Sequence, residues 1–132
     1  MFQGGCAQAA LDLYFSAFPD SGIVRIEKYA DGEPGPAGTI KVAVFTLCGR
    51  EFMCSDSPIE HPFAFTPSSS TFVEFDDLAE LERALGVLSE EGEILMPLGD
   101  YGFSRQFGWV NDRFGVSWQL NVAAGSDLDV SR

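Results

Sequence analysis

The chain has 132 residues, a formal net charge of −12 and an apolar fraction of 45% with twelve phenylalanines. This length suits one domain, and the apolar content supports a packed core and excludes a disordered chain. A surface this acidic repels phosphate backbones and anionic lipids, so we expect neither nucleic acid nor a membrane as a partner. The three cysteines include no CxxC pair, which fits a reducing compartment. The sequence also has no signal-peptide pattern and no apolar run long enough to cross a bilayer, so we predict a cytoplasmic protein.

The first part of the chain reads as a short strand, a helix and three further strands. Residues 1–2 have the character of a strand end, and a glycine pair separates them from apolar residues at helical spacing: Ala7, Ala10, Leu11, Tyr14 and Phe18. We predict strands over residues 23–29, 39–48 and 51–56, with Gly49 and Arg50 forming the turn between the last two.

The second part repeats this order after a proline-rich connection over residues 57–69. A strand over 70–75 precedes Asp77-Leu78-Ala79-Glu80, which has the form of a capping box and predicts the start of a leucine-faced helix that Gly92 closes. Strands follow over 94–96, 104–111 and 116–122. We therefore expect one domain over 1–132, with module 1 over 1–56, a linker over 57–69, module 2 over 70–122 and a frayed tail over 123–132.

The most informative segment is the run FGWVNDRFGVSWQL from Phe107 to Leu120. It predicts two strands, each with a tryptophan, around an Asp-Arg-Phe-Gly corner in which Gly115 has positive φ. Together with residues 95–103 and the opening Met-Phe-Gln-Gly, this run resembles the PhnB-like family of the glyoxalase/bleomycin-resistance/dioxygenase (vicinal oxygen chelate) superfamily. Domains of this kind are sometimes labelled 3-demethylubiquinone-9 3-methyltransferase.

The resemblance implies an α+β fold in which two βαβββ modules form a half-open mixed β-barrel around a pocket, and it implies a homodimer. A faint internal repeat agrees with two modules, because residues 49–53 and 115–119 both place an aromatic residue and a long side chain after a glycine turn. Exposed sheet edges and the large aromatic content also favour a dimer. The fold does not by itself define an activity, because one scaffold hosts several chemistries.

The resemblance also implies where the divalent metal of the superfamily would be held. Its ligand positions, normally His or Glu, fall on Met53, Ser70, Gln119 and a position at or just before Met1. A thioether, a hydroxyl and an amide are poor ligands for such an ion. The single histidine, His61, lies beside Glu60 in the proline-rich segment, where we expect a packing or surface residue. The acidic group Asp56, Glu74, Asp76 and Asp77 is expected to cap the second helix and face water. We therefore predict no metal and no cofactor.

Other catalytic patterns are absent from the sequence. It has no GxSxG, HExxH, phosphate-binding or dinucleotide-binding motif, which also argues against a methyltransferase that binds a nucleotide-like cofactor. Cys6, near a helix N-terminus, is the thiol most worth testing for reactivity, whereas Cys48 and Cys54 are expected to be small buried residues. Catalytic residues therefore stay unassigned.

An aromatic-rich pocket is the remaining candidate site. We predict that it is formed by Met53, Ser70, Tyr101, Phe103, Trp109, Trp118 and Gln119, which suits a planar or amphipathic small molecule. The alternative, that these aromatic residues are core and dimer interface, stays open. Arg113 is expected to stabilise the Asp112 corner, the alternative being contact with a ligand carboxylate.

Two classes of function follow from these predictions. The first is a metal-independent dimer that binds a small aromatic or amphipathic molecule. The alternative is a superfamily enzyme of lyase, isomerase or dioxygenase type that uses an unusual metal or an acid-base residue, and a ubiquinone-pathway methyltransferase is the weaker third interpretation. A rise in melting temperature with a metal would favour an enzyme, and a rise with a ligand alone would favour binding.

Overall fold

The computed structural model describes residues 1–102 and 105–123. It is an α+β protein with the element order α1 (Ala7–Ala17), β1 (Gly22–Lys28), β2 (Ile40–Leu47), β3 (Arg50–Cys54), β4 (Thr71–Glu74), α2 (Leu78–Ser89), β5 (Glu93–Gly99), β6 (Gln106–Asn111) and β7 (Ser117–Val122). The strands form two sheets with the orders β1-β2-β3 and β4-β7-β6-β5. The predicted α+β class is confirmed.

The chain divides into two compact units, residues 1–63 and 64–132. In the first unit the sheet is antiparallel, and Phe2 makes one parallel bridge to Asp56 just beyond β3. In the second unit β4 runs parallel to β7, while β5, β6 and β7 are antiparallel. In each unit, the segment before the helix therefore pairs in parallel with the end of the unit's last strand or the residues just after it. Phe2 does so in the first unit and β4 in the second, which agrees with two βαβββ modules.

Helix α1 buries the predicted apolar face through Ala7, Ala10, Leu11 and Tyr14. Strand β2 alternates buried and less buried residues, and Phe45 contacts Phe15 of the helix edge to face. In the second unit α2 buries Leu81, Ala84, Leu85 and Leu88, and Asp77 caps it by accepting a hydrogen bond from the backbone N–H of Ala79 (2.9 Å). The predicted start of this helix is confirmed, because the short Asp77 side chain satisfies a backbone donor that has no partner within the helix.

The predicted helix end and one predicted turn differ from the structure. Helix α2 ends at Ser89, and the residue with positive φ beyond it is Glu91 (φ 57°), so Gly92 does not close the helix. The β2–β3 turn consists of Cys48 and Gly49, both with positive φ, as in the two-residue turns that match the strand twist. Cys48 is therefore exposed, contrary to our prediction, whereas Cys54 is buried as predicted.

Strand β5 is longer than the predicted 94–96 and contains Pro97. Proline lacks a backbone N–H and is tolerated because β5 is the edge strand of its sheet. Two register irregularities interrupt its pairing with β6, one before and one after Met96. The predicted frayed tail lies outside the described residues from 124 onward.

Candidate functional site

The sheet of the second unit has two different faces because side chains alternate along each strand. The face toward α2 carries Gly108, Val110, Trp118 and Leu120, and the α2 residue Leu85 approaches Gly108 closely. We call the opposite face of this sheet the aromatic face. The register places its members in adjacent strands: Phe72 on β4, Phe107, Trp109 and Asn111 on β6, and Ser117, Gln119 and Asn121 on β7.

Gln119 lies at the centre of the aromatic face. Its partners in the ladder are Trp109 on one side and Phe72 on the other. Phe72 is 51% exposed, and within residues 1–102 and 105–123 the Gln119 side-chain amide has no hydrogen-bonding partner. The amide can therefore donate to or accept from a bound molecule that stacks against the neighbouring rings.

The rings around Gln119 form a connected group on this face. Phe72 stacks on Phe107 with the ring centroids 6.5 Å apart, and Tyr101 meets Phe107 edge to face at 6.0 Å. The Tyr101 hydroxyl donates a hydrogen bond to the backbone carbonyl of Pro97, which fixes its ring beside the edge strand. Trp109 thus lies on the aromatic face and Tyr101 beside it, and that they form a pocket wall stays a prediction. Phe103 lies outside the described residues.

A chain of hydrogen bonds joins Trp109 to Ser70. The indole Nε1–H of Trp109 donates to Ser117 Oγ at 2.8 Å, and Ser117 Oγ is 2.5 Å from Ser70 Oγ. Ser117 is buried, at 3% exposure, whereas Ser70 is only partly buried. Ser70 precedes β4, so the residue beside Gln119 in the parallel ladder is Phe72 and not Ser70.

Trp118 does not belong to this pocket, contrary to our prediction. It is 3% exposed on the α2 face, and its Nε1–H donates to Asp112 Oδ2 at 3.0 Å. Neighbouring residues of a strand point to opposite faces, so Trp118 and Gln119 cannot line the same side of the sheet. The Trp118 ring is a core side chain.

The Asp112 corner is a scaffold held by that same carboxylate. Asp112 Oδ1 accepts hydrogen bonds from the backbone N–H groups of Phe114 (2.8 Å) and Val116 (3.1 Å). Gly115 has φ 86°, which confirms the predicted positive value. Arg113 forms an ion pair with Glu91 at 3.3 Å, so the arginine contacts the segment after α2 rather than Asp112.

Met53, the site residue predicted in the first unit, lies on β3 and is 67% exposed. It pairs with Val44, on the sheet face opposite to the one that Phe45 presents to α1. A shallow cavity beside it is lined by Val24, Arg25 and Glu51 among others. That Met53 shares one pocket with Ser70 and Gln119 stays a prediction.

Asp56 has a different role from the one we predicted. It is buried, at 2% exposure, and its carboxylate accepts hydrogen bonds from the backbone N–H groups of Ala7 (2.9 Å) and Ile40 (2.8 Å). It therefore caps α1 and ties that helix to β2, instead of facing water near the second helix. Sequence spacing did not reveal this contact because 49 residues separate Asp56 from Ala7.

His61 is a packing residue, as the sequence indicated. Its Nε2 is 3.0 Å from Ser57 Oγ, its ring stacks on Phe63, and its backbone N–H donates to Gln3 Oε1 at 2.6 Å. The Ser57 hydroxyl is 2.6 Å from the carbonyl of Ile59 and donates to it. Because Ser57 has a single proton, His61 is then the donor to Ser57, which does not match a nucleophile activated by a base.

The donor atoms of Met53, Ser70 and Gln119, which the family resemblance aligns with the superfamily's metal positions, do not fit a divalent metal ion. A thioether, a hydroxyl and a neutral amide stand there, and each is a weak ligand compared with imidazole or carboxylate. Among the described residues, no three His, Cys, Asp or Glu side chains converge as a metal-binding group. Burial raises the pKa of the Cys54 thiol to about 11, which further weakens it as a ligand because metals bind the thiolate.

The strand order and the aromatic face define a glyoxalase-like α+β protein. The family model described as 3-demethylubiquinone-9 3-methyltransferase matches residues 1–121. The chain therefore belongs to this PhnB-like family. No curated protein matches it significantly. In the part of the chain that the structure describes, no helix has the length and apolar character needed to cross a membrane.

Solved structures agree with this assignment. One is a putative 3-demethylubiquinone-9 3-methyltransferase, a PhnB protein from Bacillus cereus, with 48% identity and a TM-score of 0.88 over 93% of this chain and 95% of that one. A Pseudomonas aeruginosa protein has 30% identity and a TM-score of 0.77 over 92% of each chain. TioX from Micromonospora sp. has 17% identity and a TM-score of 0.56 over 89% of this chain and 87% of that one, and it shows the fold alone. The predicted family and fold class are confirmed.

Three residues of the site were missed by the sequence reasoning. Phe72 and Ser117 acquire their positions from strand register, and Asn121 is buried with no hydrogen-bonding partner for Oδ1 among the described residues. The period of two in Ser117, Gln119 and Asn121 was the available signal, because it places three polar side chains on one face of β7.

Proposed function

We propose that the protein binds a small aromatic or amphipathic molecule without the help of a metal ion. The observation that carries this proposal is the aromatic face, where the amide of Gln119 lies between Trp109 and the half-exposed ring of Phe72 and has no hydrogen-bonding partner among the described residues. Aromatic walls with a few polar groups that fix orientation are typical of small-molecule sites. A flat ring would gain stacking and burial there, and Gln119 would orient its polar group.

The donor chemistry argues for binding rather than for the superfamily's metal-dependent reactions. Those reactions rely on a metal held by His and Glu, and the positions concerned carry Met53, Ser70 and Gln119. The single histidine, His61, is engaged by Ser57 and Phe63. We therefore rank a lyase, isomerase or dioxygenase activity second, with metal-dependent stabilisation as the result that would favour it.

A methyltransferase activity, which the description of the family names, is the weaker proposal for this chain. A nucleotide-like cofactor is usually held by a glycine-rich connection between a parallel strand and a helix. The corresponding connection here, between β4 and α2, is Phe75-Asp76-Asp77. Two carboxylates at the start of a helix would repel anionic or carboxylate groups, and Asp77 already occupies the cap.

We further propose that the protein is a cytoplasmic homodimer. Strands β1 and β5 are each one edge strand of their sheet, and Val24 and Ile94 on them are about half exposed (56% and 47%). Open edges with apolar side chains are commonly covered by a second subunit. Sedimentation velocity at micromolar concentration should give a species of twice the 14.3 kDa chain mass, and a monomer would refute the proposal.

A thermal-shift screen tests the proposed binding activity. Purified protein is stripped with a chelator and screened against neutral aromatic compounds, aliphatic compounds of similar size and divalent metal ions. We expect stabilisation by aromatic compounds that is unchanged by the chelator, because the site does not use a metal.

Two variants connect the result to the aromatic face. Trp109→Ala should weaken binding, whereas Arg113→Ala, on the exposed corner, serves as the control and should leave binding unchanged. Stabilisation by a divalent ion with no response to aromatic compounds would refute the proposal and favour the enzyme.

A further inference from the structure

A cavity of about 430 Å³ opens at the beginning of strands β4 and β7 in the second unit. Its size lies within the usual range of small-molecule pockets, roughly 300–1,000 Å³. Phe65 and several hydroxyl-bearing residues are among those that line it, namely Thr66, Ser69, Ser70, Thr71 and Ser117. Ser117, one of the lining residues, accepts a hydrogen bond from Trp109 of the aromatic face.

Burial fixes the direction of the hydrogen bonds in this chain. The indole N–H of Trp109 is a donor only, so Ser117 Oγ accepts from it. Ser117 is buried and, among the described residues, Ser70 is the remaining group that its own hydroxyl proton can reach. An unsatisfied buried hydroxyl proton is costly, so Ser117 donates to Ser70. The proton of Ser70 is then free to point into the cavity.

Ser70 is consequently set up as a donor toward any molecule in the cavity. Its oxygen already accepts a hydrogen bond from Ser117, which in turn accepts one from Trp109, and such chains polarise the terminal hydroxyl. A ligand acceptor that faces Ser70 therefore meets an available and polarised proton. A donor group, such as an amine, could use only the second lone pair of Ser70 Oγ and would leave the proton of Ser70 without an acceptor.

The charge distribution limits the ligand further. None of the described residues that line the cavity carries a charge, and the whole chain has a formal net charge of −12. A carboxylate or phosphate would lose its hydration without gaining a cationic partner, and it would be repelled by the acidic surface. A neutral acceptor avoids both costs.

We propose that Ser70 donates a hydrogen bond to the carbonyl oxygen of a neutral aromatic ligand, whose ring packs against Phe65. This inference rests on the proposed binding function and names the class of ligand, but it places the ligand ring in the cavity, which Phe72, Trp109 and Gln119 do not line. Ser70 is thus a specificity-determining residue, and Ser117 and Trp109 are positioning residues that keep its proton available.

The test compares three probes that differ in one group: acetophenone, ethylbenzene and benzoate. Binding is followed by NMR through the two indole N–H signals, which Trp109→Phe distinguishes. We expect acetophenone to bind about five- to tenfold more tightly than ethylbenzene, the value of one neutral hydrogen bond, and benzoate to bind more weakly than acetophenone. The comparison uses wild-type protein, so the decision does not depend on any variant folding.

Three variants then assign the preference to Ser70. Ser70→Ala should remove the preference for acetophenone, Ser70→Thr should retain it, and Ser16→Ala, at an exposed serine of α1 outside the cavity, should leave it unchanged. Retention of the full preference in Ser70→Ala would overturn the role of Ser70.

The outcomes separate this inference from the proposed function. Equal affinities for acetophenone and ethylbenzene, or tighter binding of benzoate, would overturn the inference while leaving aromatic binding intact. Absence of saturable binding by all three probes at millimolar concentration would overturn it as well, and the thermal-shift screen would then decide independently on the proposed function.

Discussion

Replacing Trp118 by alanine tests the division between the core face and the aromatic face of the second sheet. The Trp118 ring is 3% exposed and donates to the buried carboxylate of Asp112, so the substitution creates a large cavity and removes a hydrogen bond. We expect a loss of about 3–5 kcal/mol in the free energy of unfolding. For a chain of this length that corresponds to a fall of roughly 12–20 °C in melting temperature.

The matched comparison is Trp109→Ala on the opposite face. Trp109 is only partly buried, so its removal should cost roughly 1–2 kcal/mol for the lost contact area and the hydrogen bond to Ser117. Trp118→Phe keeps most of the core ring and should cost about 1–2 kcal/mol, mainly for the lost hydrogen bond to Asp112. Urea unfolding followed by far-UV circular dichroism measures all three values.

Trp109→Ala should also reduce affinity for aromatic compounds, and Trp118→Phe should leave that affinity unchanged. Equal destabilisation by Trp109→Ala and Trp118→Ala, without any effect on ligand binding, would show that both rings are core. The pocket would then have been placed on the wrong face of the sheet.

Three further predictions concern the scaffold. In thermal unfolding, Gly86→Ala should stabilise the protein by about 0.5–1 kcal/mol, because an added Cβ meets nothing within 4 Å on α2. Gly92→Ala should destabilise it by about 2–3 kcal/mol, because the same atom would lie 2.3 Å from a backbone oxygen of β6; equal effects of the two would contradict this packing. Asp56→Ala should lower the free energy of unfolding by about 2–4 kcal/mol in a denaturant titration, since two buried N–H groups lose their acceptor. Asp56→Asn should cost less because it retains one acceptor oxygen, and a loss below about 1 kcal/mol in both variants would contradict the capping role. In a thiol-reagent assay at pH 8, the exposed Cys48 should react quickly and Cys54 slowly, because burial raises the pKa of Cys54 to about 11 and keeps its thiol protonated. Mass spectrometry identifies the labelled residue, and fast labelling of Cys54 would contradict its burial.

Much of the fold was predictable from local sequence because its signals act over a few residues. The helical spacing from Ala7 to Tyr14 defined the buried face of α1, and the Asp77 cap marked the start of α2. The turn between β6 and β7 needs a residue with positive φ at position 115, and glycine adopts that conformation without strain. The likeness of the run from Phe107 to Leu120 to the PhnB-like family supplied the order of the modules.

The same local signals did not predict how distant residues meet. Asp56 looked like one of several exposed carboxylates, because its partners Ala7 and Ile40 are brought to it only by the packing of α1 on β2. Cys48 was predicted to be a strand residue, but the turn lies one residue earlier than predicted, at Cys48 and Gly49. The pairing of Leu47 with Arg50 fixes the position of this two-residue turn, and local sequence does not specify that register.

What the sequence by itself determined was the family and the element order, and the resemblance predicted Met53, Ser70 and Gln119 at the superfamily's metal positions. Tertiary structure decided which side chains share a surface. Trp118 and Gln119 are neighbours in sequence, yet the pleat of β7 sends one into the core and the other to the aromatic face. Ser70 and Trp109 are far apart in sequence, yet the parallel pairing of β4 with β7 joins them through Ser117. Register and long-range pairing depend on the whole packed chain, which is why the local pattern did not reveal Phe72 and Ser117 as neighbours of Gln119 and Trp109.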